Sequence, residues 1–168
     1  MAVGGLYTWP RRSRSMPLYP NAQALIRANL EALQNGQRVK GVAIGTLTAA
    51  QLNAINAERT TEGGALPPIV DEVIFFGSHA YQSRVLQDGY TLEDVVDQVL
   101  SAMDARSVIV TSPRMTTIQN PTPRTDRYGN QIRDKAVLEC TRRHPRAELF
   151  TVVPKGDHIK PKKQKSRP

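Results

Sequence analysis

The sequence predicts an α+β fold: helices come first, and a sheet of four to five mainly antiparallel strands follows, with one helical layer on one sheet face. Three observations predict it. Apolar residues recur at helical spacing in three segments before residue 104. A short run of branched and aromatic residues, Val73-Ile74-Phe75-Phe76, stops at Gly77-Ser78, which reads as a buried strand. From Ser107 to Val153 strand-like runs follow one another with short joins, the pattern of an antiparallel meander.

Taken in order, residues 1–20 mix glycine, proline and arginine with Tyr7, Trp9 and Tyr19. Pro10, Pro17 and Pro20 forbid a regular helix there, so an extended basic and aromatic arm is expected. Asn21 stands where an N-cap belongs. Ala22–Gln34 carries Leu25, Ile26, Leu30 and Leu33 on one face, and Gly36 suits its end. Val39–Leu47 is a connector with room for a short strand. Thr48 and Gln51 have capping-box spacing before a helix that runs to Arg59. Residues 60–68 form a loop stiffened by Pro67-Pro68.

After the Val73–Phe76 strand, Ser78 is expected to cap a helix over His79–Gln87, which Gly89 ends. Thr91 and Asp94 open the next helix, with Leu92, Val95, Val96, Val99, Leu100 and Met103 as its sheet-facing stripe. Strands are expected over Ser107–Thr111, Met115–Gln119, Gln131–Thr141 and Ala147–Val153, with residues 120–130 a long loop rich in turn residues. The expected organisation is an arm over 1–20, a single domain over 21–154 and a basic disordered tail over 155–168.

The net charge is +8 over 168 residues. Residues 1–16 supply +3 and residues 155–168 supply +5, so the body between them is neutral. Basic ends on a neutral body suit an anionic polymer, and they equally suit a solvated terminus. The single cysteine, Cys140, leaves no intramolecular disulfide and reads as core. No apolar run is long enough to span a membrane. Arg11, Arg12 and Arg14 are not followed by the apolar segment of a secretory signal. A cytoplasmic or phage-particle location is expected. No metal or cofactor is expected: there is no HxxxH, no cysteine pair, no acidic calcium-type loop and no phosphate-loop glycine pattern.

His79 is the first candidate for chemistry. At a helix start it feels the positive end of the dipole, which favours the neutral imidazole of a general base. Helical spacing puts Gln82 and Ser83 on its face and Arg84 elsewhere. Arg84 has Asp88 four residues on, the spacing of a local ion pair. Alternation in 131–141 sets Arg133, Lys135 and Glu139 on one sheet face and Ile132, Ala136, Leu138 and Cys140 on the other. The cationic face suits a phosphate, or is a solvated outer surface. Asp134 falls on the apolar side and needs a partner or a sheet edge. His144 lies in the basic turn Arg142-Arg143-His144-Pro145-Arg146, and His158 lies in the tail; neither is expected to act.

The segment FGSHAYQSRVLQDGYTLEDVVDQV, then DRYGNQIRDKAVLEC and ELFTVVPKGD, resembles phage and polymorphic-toxin members of the barnase–EndoU–colicin–RelE-like superfamily. Those folds place helices before a four-stranded antiparallel sheet. Many members are metal-independent ribonucleases acting through His, Arg, Lys, Thr or Ser side chains on the sheet. The resemblance implies a catalytic set of His79, Arg84, Arg133 and Lys135, with Arg127, Tyr128, Asn130, Tyr90 and Thr91 contacting substrate. The arginine such members carry four residues after the histidine is displaced here: Ser83 stands there and Arg84 follows. The implied partner is nucleic acid, RNA in the first place. Two alternatives stand beside a ribonuclease: a non-catalytic nucleic-acid-binding or virion-associated protein, and a protein-interaction module with an acidic partner.

Overall fold

The computed structural model describes residues 6–8, 18–60, 67–112, 115–139 and 146–156. In chain order the elements are β1 (Leu6–Thr8), α1 (Ala22–Gln34), β2 (Val42–Thr46), α2 (Ala49–Arg59) and β3 (Asp71–Phe76). A π-helix (Tyr81–Gln87), α3 (Leu92–Ala102), β4 (Val108–Ser112) and β5 (Met115–Gln119) follow. β6 (Arg124–Thr125), β7 (Gln131–Glu139) and β8 (Arg146–Lys155) complete the set.

The class is α+β, and the sheet is larger and more mixed than the sequence predicts. It has eight strands in the order β1-β4-β5-β7-β8-β3-β2, with β6 paired to β7 off that path. Every pairing is antiparallel except β3 with β8. That parallel pair joins strands separated by the π-helix, α3 and the whole β4–β7 meander, which is the long crossover a parallel neighbour requires. Two of the additional strands come from segments that composition alone left unassigned. Leu6–Thr8, within the expected arm, pairs with Val108–Val110. Val42–Thr46, in the expected connector, pairs with Val73–Phe76. Leu18 closes an isolated bridge onto Gly45. Lys155 belongs to β8 rather than to a tail.

Both capping boxes form. Thr48 Oγ1 accepts from Gln51 N at 3.1 Å, and Gln51 Oε1 accepts from Thr48 N at 2.8 Å. Thr91 and Asp94 repeat the pattern at 3.2 and 2.9 Å. Asn21 departs from expectation: α1 starts with Leu25 N donating to the Asn21 backbone carbonyl at 3.1 Å, and the side chain makes no cap bond. Ser78 acts likewise through its carbonyl, which accepts from Gln82 N at 3.2 Å.

Among the described residues the α-helices and the sheet share one core cluster. α1 contributes Ile26 and Leu30, α2 Ile55, and α3 Val95, Val96, Val99 and Ala102. The sheet answers with Ile44, Ile74, Phe76, Ile118, Ala136, Leu138, Leu149 and Val152. The alternation in β7 is as expected. Ile132, Ala136 and Leu138 are buried toward the helices, and Arg133, Lys135 and Glu139 lie on the other face. Asp134 is also on the helix side, fully buried, and the partner it requires is Arg124 from β6. Cys140, His144 and His158 lie outside the described residues, as do Arg11, Arg12 and Arg14.

Candidate functional site

The nine candidate side chains separate into three places. The first is the turn from strand to helix at His79. Its Nε2 sits 2.9 Å from Ser83 Oγ, so the shared face predicted for these two residues exists. The helix that follows is wound wider than expected: Asp88 N donates to Ser83 O, five residues back, at 3.2 Å. A π-turn of this kind brings residue i+5 closer to the side of residue i than an α-helix does, and such turns recur at functional sites. Arg84 nevertheless takes the local role: its Nη1 lies 2.9 Å from Asp88 Oδ2.

The second place is the N-terminus of α3, where the 120–130 loop folds back. Tyr128 donates its hydroxyl to Asp94 Oδ2 at 2.7 Å, and Arg127 Nε lies 3.0 Å from Asp94 Oδ1. Arg127 Nη2 also donates to Tyr128 Oη at 2.8 Å. The Tyr90 and Tyr128 rings meet edge to face with centroids 6.1 Å apart. Asp126 shapes the loop tip by accepting from Tyr128 N, Asn130 N and Asn130 Nδ2 at 2.9, 2.8 and 3.0 Å. Burial pushes the Asp126 carboxyl up, but the bonds from Asn130 and Tyr128 outweigh it and hold the group below its ordinary value. Gly129, at φ +85°, supplies the left-handed residue this tip needs. Burial, with the charges of Asp126 and Asp88, pushes the Tyr90 hydroxyl up to about 12. Tyr90, Thr91, Arg127, Tyr128 and Asn130 were expected to meet substrate. Arg127 and Tyr128 bind the loop to Asp94, Tyr90 meets the Tyr128 ring, Thr91 caps α3 with Asp94, and Asn130 is bonded to Asp126 within the loop.

The third place is the sheet face that carries Arg133 and Lys135, opposite the side of Ala136 and Leu138, and its middle row of Thr117, Val137 and Thr151 is buried. The register defines it in rows. Gln119, Lys135 and Val153 form one row, and Thr117, Val137 and Thr151 the next. Glu139, Glu148 and Phe75 form a third, and Arg133 and Lys155 stand at the opposite end. Lys135 is half-buried, and Lys155 is exposed. Burial, together with the adjacent charge of Lys155, lowers the Lys135 ammonium below the ordinary lysine value of 10.5. Arg133 is anchored beside them by Nε donating to Pro121 O at 3.0 Å. Three cations thus share one end of a sheet face, and burial and the neighbouring Lys155 work against the charge of Lys135. An anion placed between them would relieve that repulsion.

The sequence put Arg133 and Lys135 on this face and did not place Lys155, Glu148 and Phe75 there. Lys155 was legible only as part of a terminal charge run, because its place beside Lys135 depends on how β7 and β8 pair. His79 follows β3 and Lys135 lies on β7, with β8 between those two strands. Among the described residues, no group of three or more His, Cys, Asp or Glu side chains could hold a metal ion. None of the described helices is long and apolar enough to cross a membrane. Compared with known proteins, the chain matches no family model, no curated protein and no solved structure.

Proposed function

We propose that this protein binds single-stranded nucleic acid, RNA in the first place, at the end of the sheet face that carries Lys135, Lys155 and Arg133. Lys135, Lys155 and Arg133 would receive a backbone phosphate. One observation carries the reading: Lys135 and Lys155 are adjacent on that face, and burial plus mutual repulsion lowers the Lys135 ammonium. A phosphate between the two ammonium groups would relieve that repulsion through charge-assisted hydrogen bonds. The test is fluorescence anisotropy with a labelled single-stranded RNA across a salt series. Lys135→Ala and Lys155→Ala should each weaken binding and reduce the slope of log affinity against log salt by about 1. Unchanged affinity and slope in both variants would remove the reading.

A second reading, a metal-independent endoribonuclease, has its own support. β3 runs parallel to β8 and ends in the row of Leu149. The Gly77–His79 turn therefore leaves β3 in the direction in which β8 proceeds to Val153, the partner of Lys135. The strands flanking β8 are about 10 Å apart. In this reading His79 takes the 2′-hydroxyl proton, and the 2′-oxygen bonds to phosphorus. The bond to the 5′-oxygen breaks, that oxygen takes a proton, and a 2′,3′-cyclic phosphate remains. Lys135 and Arg133 neutralise the added charge on phosphorus; Arg84 is not part of the set, since Asp88 holds it. Cleavage of labelled RNA in EDTA by wild type and not by His79→Ala is the expected result. Absence of cleavage by wild type would leave the binding reading alone.

A further inference from the structure

Among the three cations at this end of the sheet, Lys135 has surroundings of its own. Its register partners are Gln119 of β5 and Val153 of β8, and neither is charged. On one side of it Arg133 faces Lys155. On the other side stand Thr117, Val137 and Thr151, all buried. β5 carries no charged residue, and Arg124 of β6 turns to Asp134 on the opposite face. The nearest acid along its own face, Glu139, is four residues on, a span of about 13 Å. Among the described residues no carboxylate forms an ion pair with Lys135. A half-buried amine beside a second cation and without a carboxylate is held partly in its neutral form. The neutral amine is the nucleophile that attacks carbonyl carbon.

We infer, on the reading that these cations hold a phosphate, that Lys135 is a nucleophilic amine that condenses with an aldehyde whose phosphate lies at Arg133 and Lys155. The ε-amine bonds to the carbonyl carbon and gives a carbinolamine. The oxygen then leaves as water with both amine hydrogens, and an imine remains. The step consumes no oxidant or reductant, and water reverses it. Arg133 offers the phosphate a planar guanidinium, and Lys155, the last residue of β8, offers an exposed ammonium. The ligand class is an aldehyde carrying a nearby phosphate. An abasic site in single-stranded nucleic acid has that chemistry when its sugar ring opens, and so does a free phosphorylated aldehyde.

The experiment treats the full chain near neutral pH with pyridoxal 5′-phosphate, with pyridoxal, and with a single-stranded DNA carrying an abasic site. Borohydride follows in each case and reduces an imine to a stable amine. Peptide mapping is expected to place the adduct on Lys135, with pyridoxal 5′-phosphate reacting faster than pyridoxal. Lys135→Arg keeps the positive charge and should lose the adduct, since a guanidinium stays protonated. Lys155→Ala removes the neighbouring charge, so the midpoint of the pH–rate profile with pyridoxal should move up. A trapped complex with the abasic strand that requires Lys135 assigns the aldehyde to nucleic acid. Reaction with pyridoxal 5′-phosphate alone assigns it to a small molecule. Adducts spread over the lysines, or equal rates with and without the phosphate, overturn the nucleophilic amine. If Lys135→Ala then still weakens RNA binding, the phosphate reading stands without it; if RNA affinity is unchanged as well, both fall.

Discussion

Two regions of this protein carry dense charge, and they use it in opposite ways. Around the N-terminus of α3 charges are paired. Asp94 has Tyr128 and Arg127, Arg84 has Asp88, and Arg124 has the buried Asp134. On the far face of β7 and β8, like charges are neighbours: Lys135 beside Lys155, and Glu139 opposite Glu148. The first arrangement lowers the energy of the fold by itself. The second opposes the fold where Arg133 faces Lys155 and Glu139 faces Glu148, since like charges directly opposite on paired strands destabilise. The densest polar cluster of the sequence, 126–130, is bonded within its own loop and to Asp94.

The comparison is broken if substitutions in the paired region alter RNA binding while leaving stability intact. The largest effect is expected at Arg124→Ala, which strands the fully buried Asp134 carboxylate. Breaking one side of such a pair costs about 3–5 kcal/mol, read as a lower midpoint in denaturant with no change in nucleic-acid affinity per folded molecule. Tyr128→Phe removes the 2.7 Å bond to Asp94 and should cost about 2 kcal/mol, the worth of a hydrogen bond to a charged group.

A pH titration sharpens the same contrast. The Tyr90 hydroxyl is raised from 10.0 to about 12 by burial and by nearby carboxylates. Its folded value lies above its unfolded one, so the stabilisation is fully present below pH 10 and is lost as pH rises through 12. Unfolding free energy should fall by about 1 kcal/mol between about pH 9 and about pH 11, and Tyr90→Phe should flatten that portion of the curve. The smallest effect is expected at Arg27, whose ion pair with Glu93 is exposed. Arg27→Ala should leave the melting temperature unchanged within error, as for most surface pairs.

Much of the local structure was legible before any tertiary contact was known. The capping boxes at Thr48 and Thr91, the Arg84–Asp88 pair, the His79–Ser83 face and the alternation in β7 each depend on residues within a few positions. The need of Asp134 for a partner followed from its parity alone. The internal partners of Tyr90, Arg127 and Tyr128 were not legible in the sequence for a physical reason. Whether a polar side chain serves the fold or a ligand depends on what lies opposite it, and Asp94 is more than thirty residues from Tyr128 in the chain.

By itself, then, the sequence determined the class of fold, the positions of the three α-helices, the two faces of β7 and the cationic character of one of them. These are consequences of short-range geometry: helical and strand periods, and caps within one turn. The tertiary structure decided the rest. It chose eight strands over four or five, set β3 parallel to β8, widened the helix after His79, brought Lys155 beside Lys135 and placed Glu148 across Gly77. Those outcomes turn on strand pairing and register, which are set by burial of the sheet in one core with α1, α2 and α3.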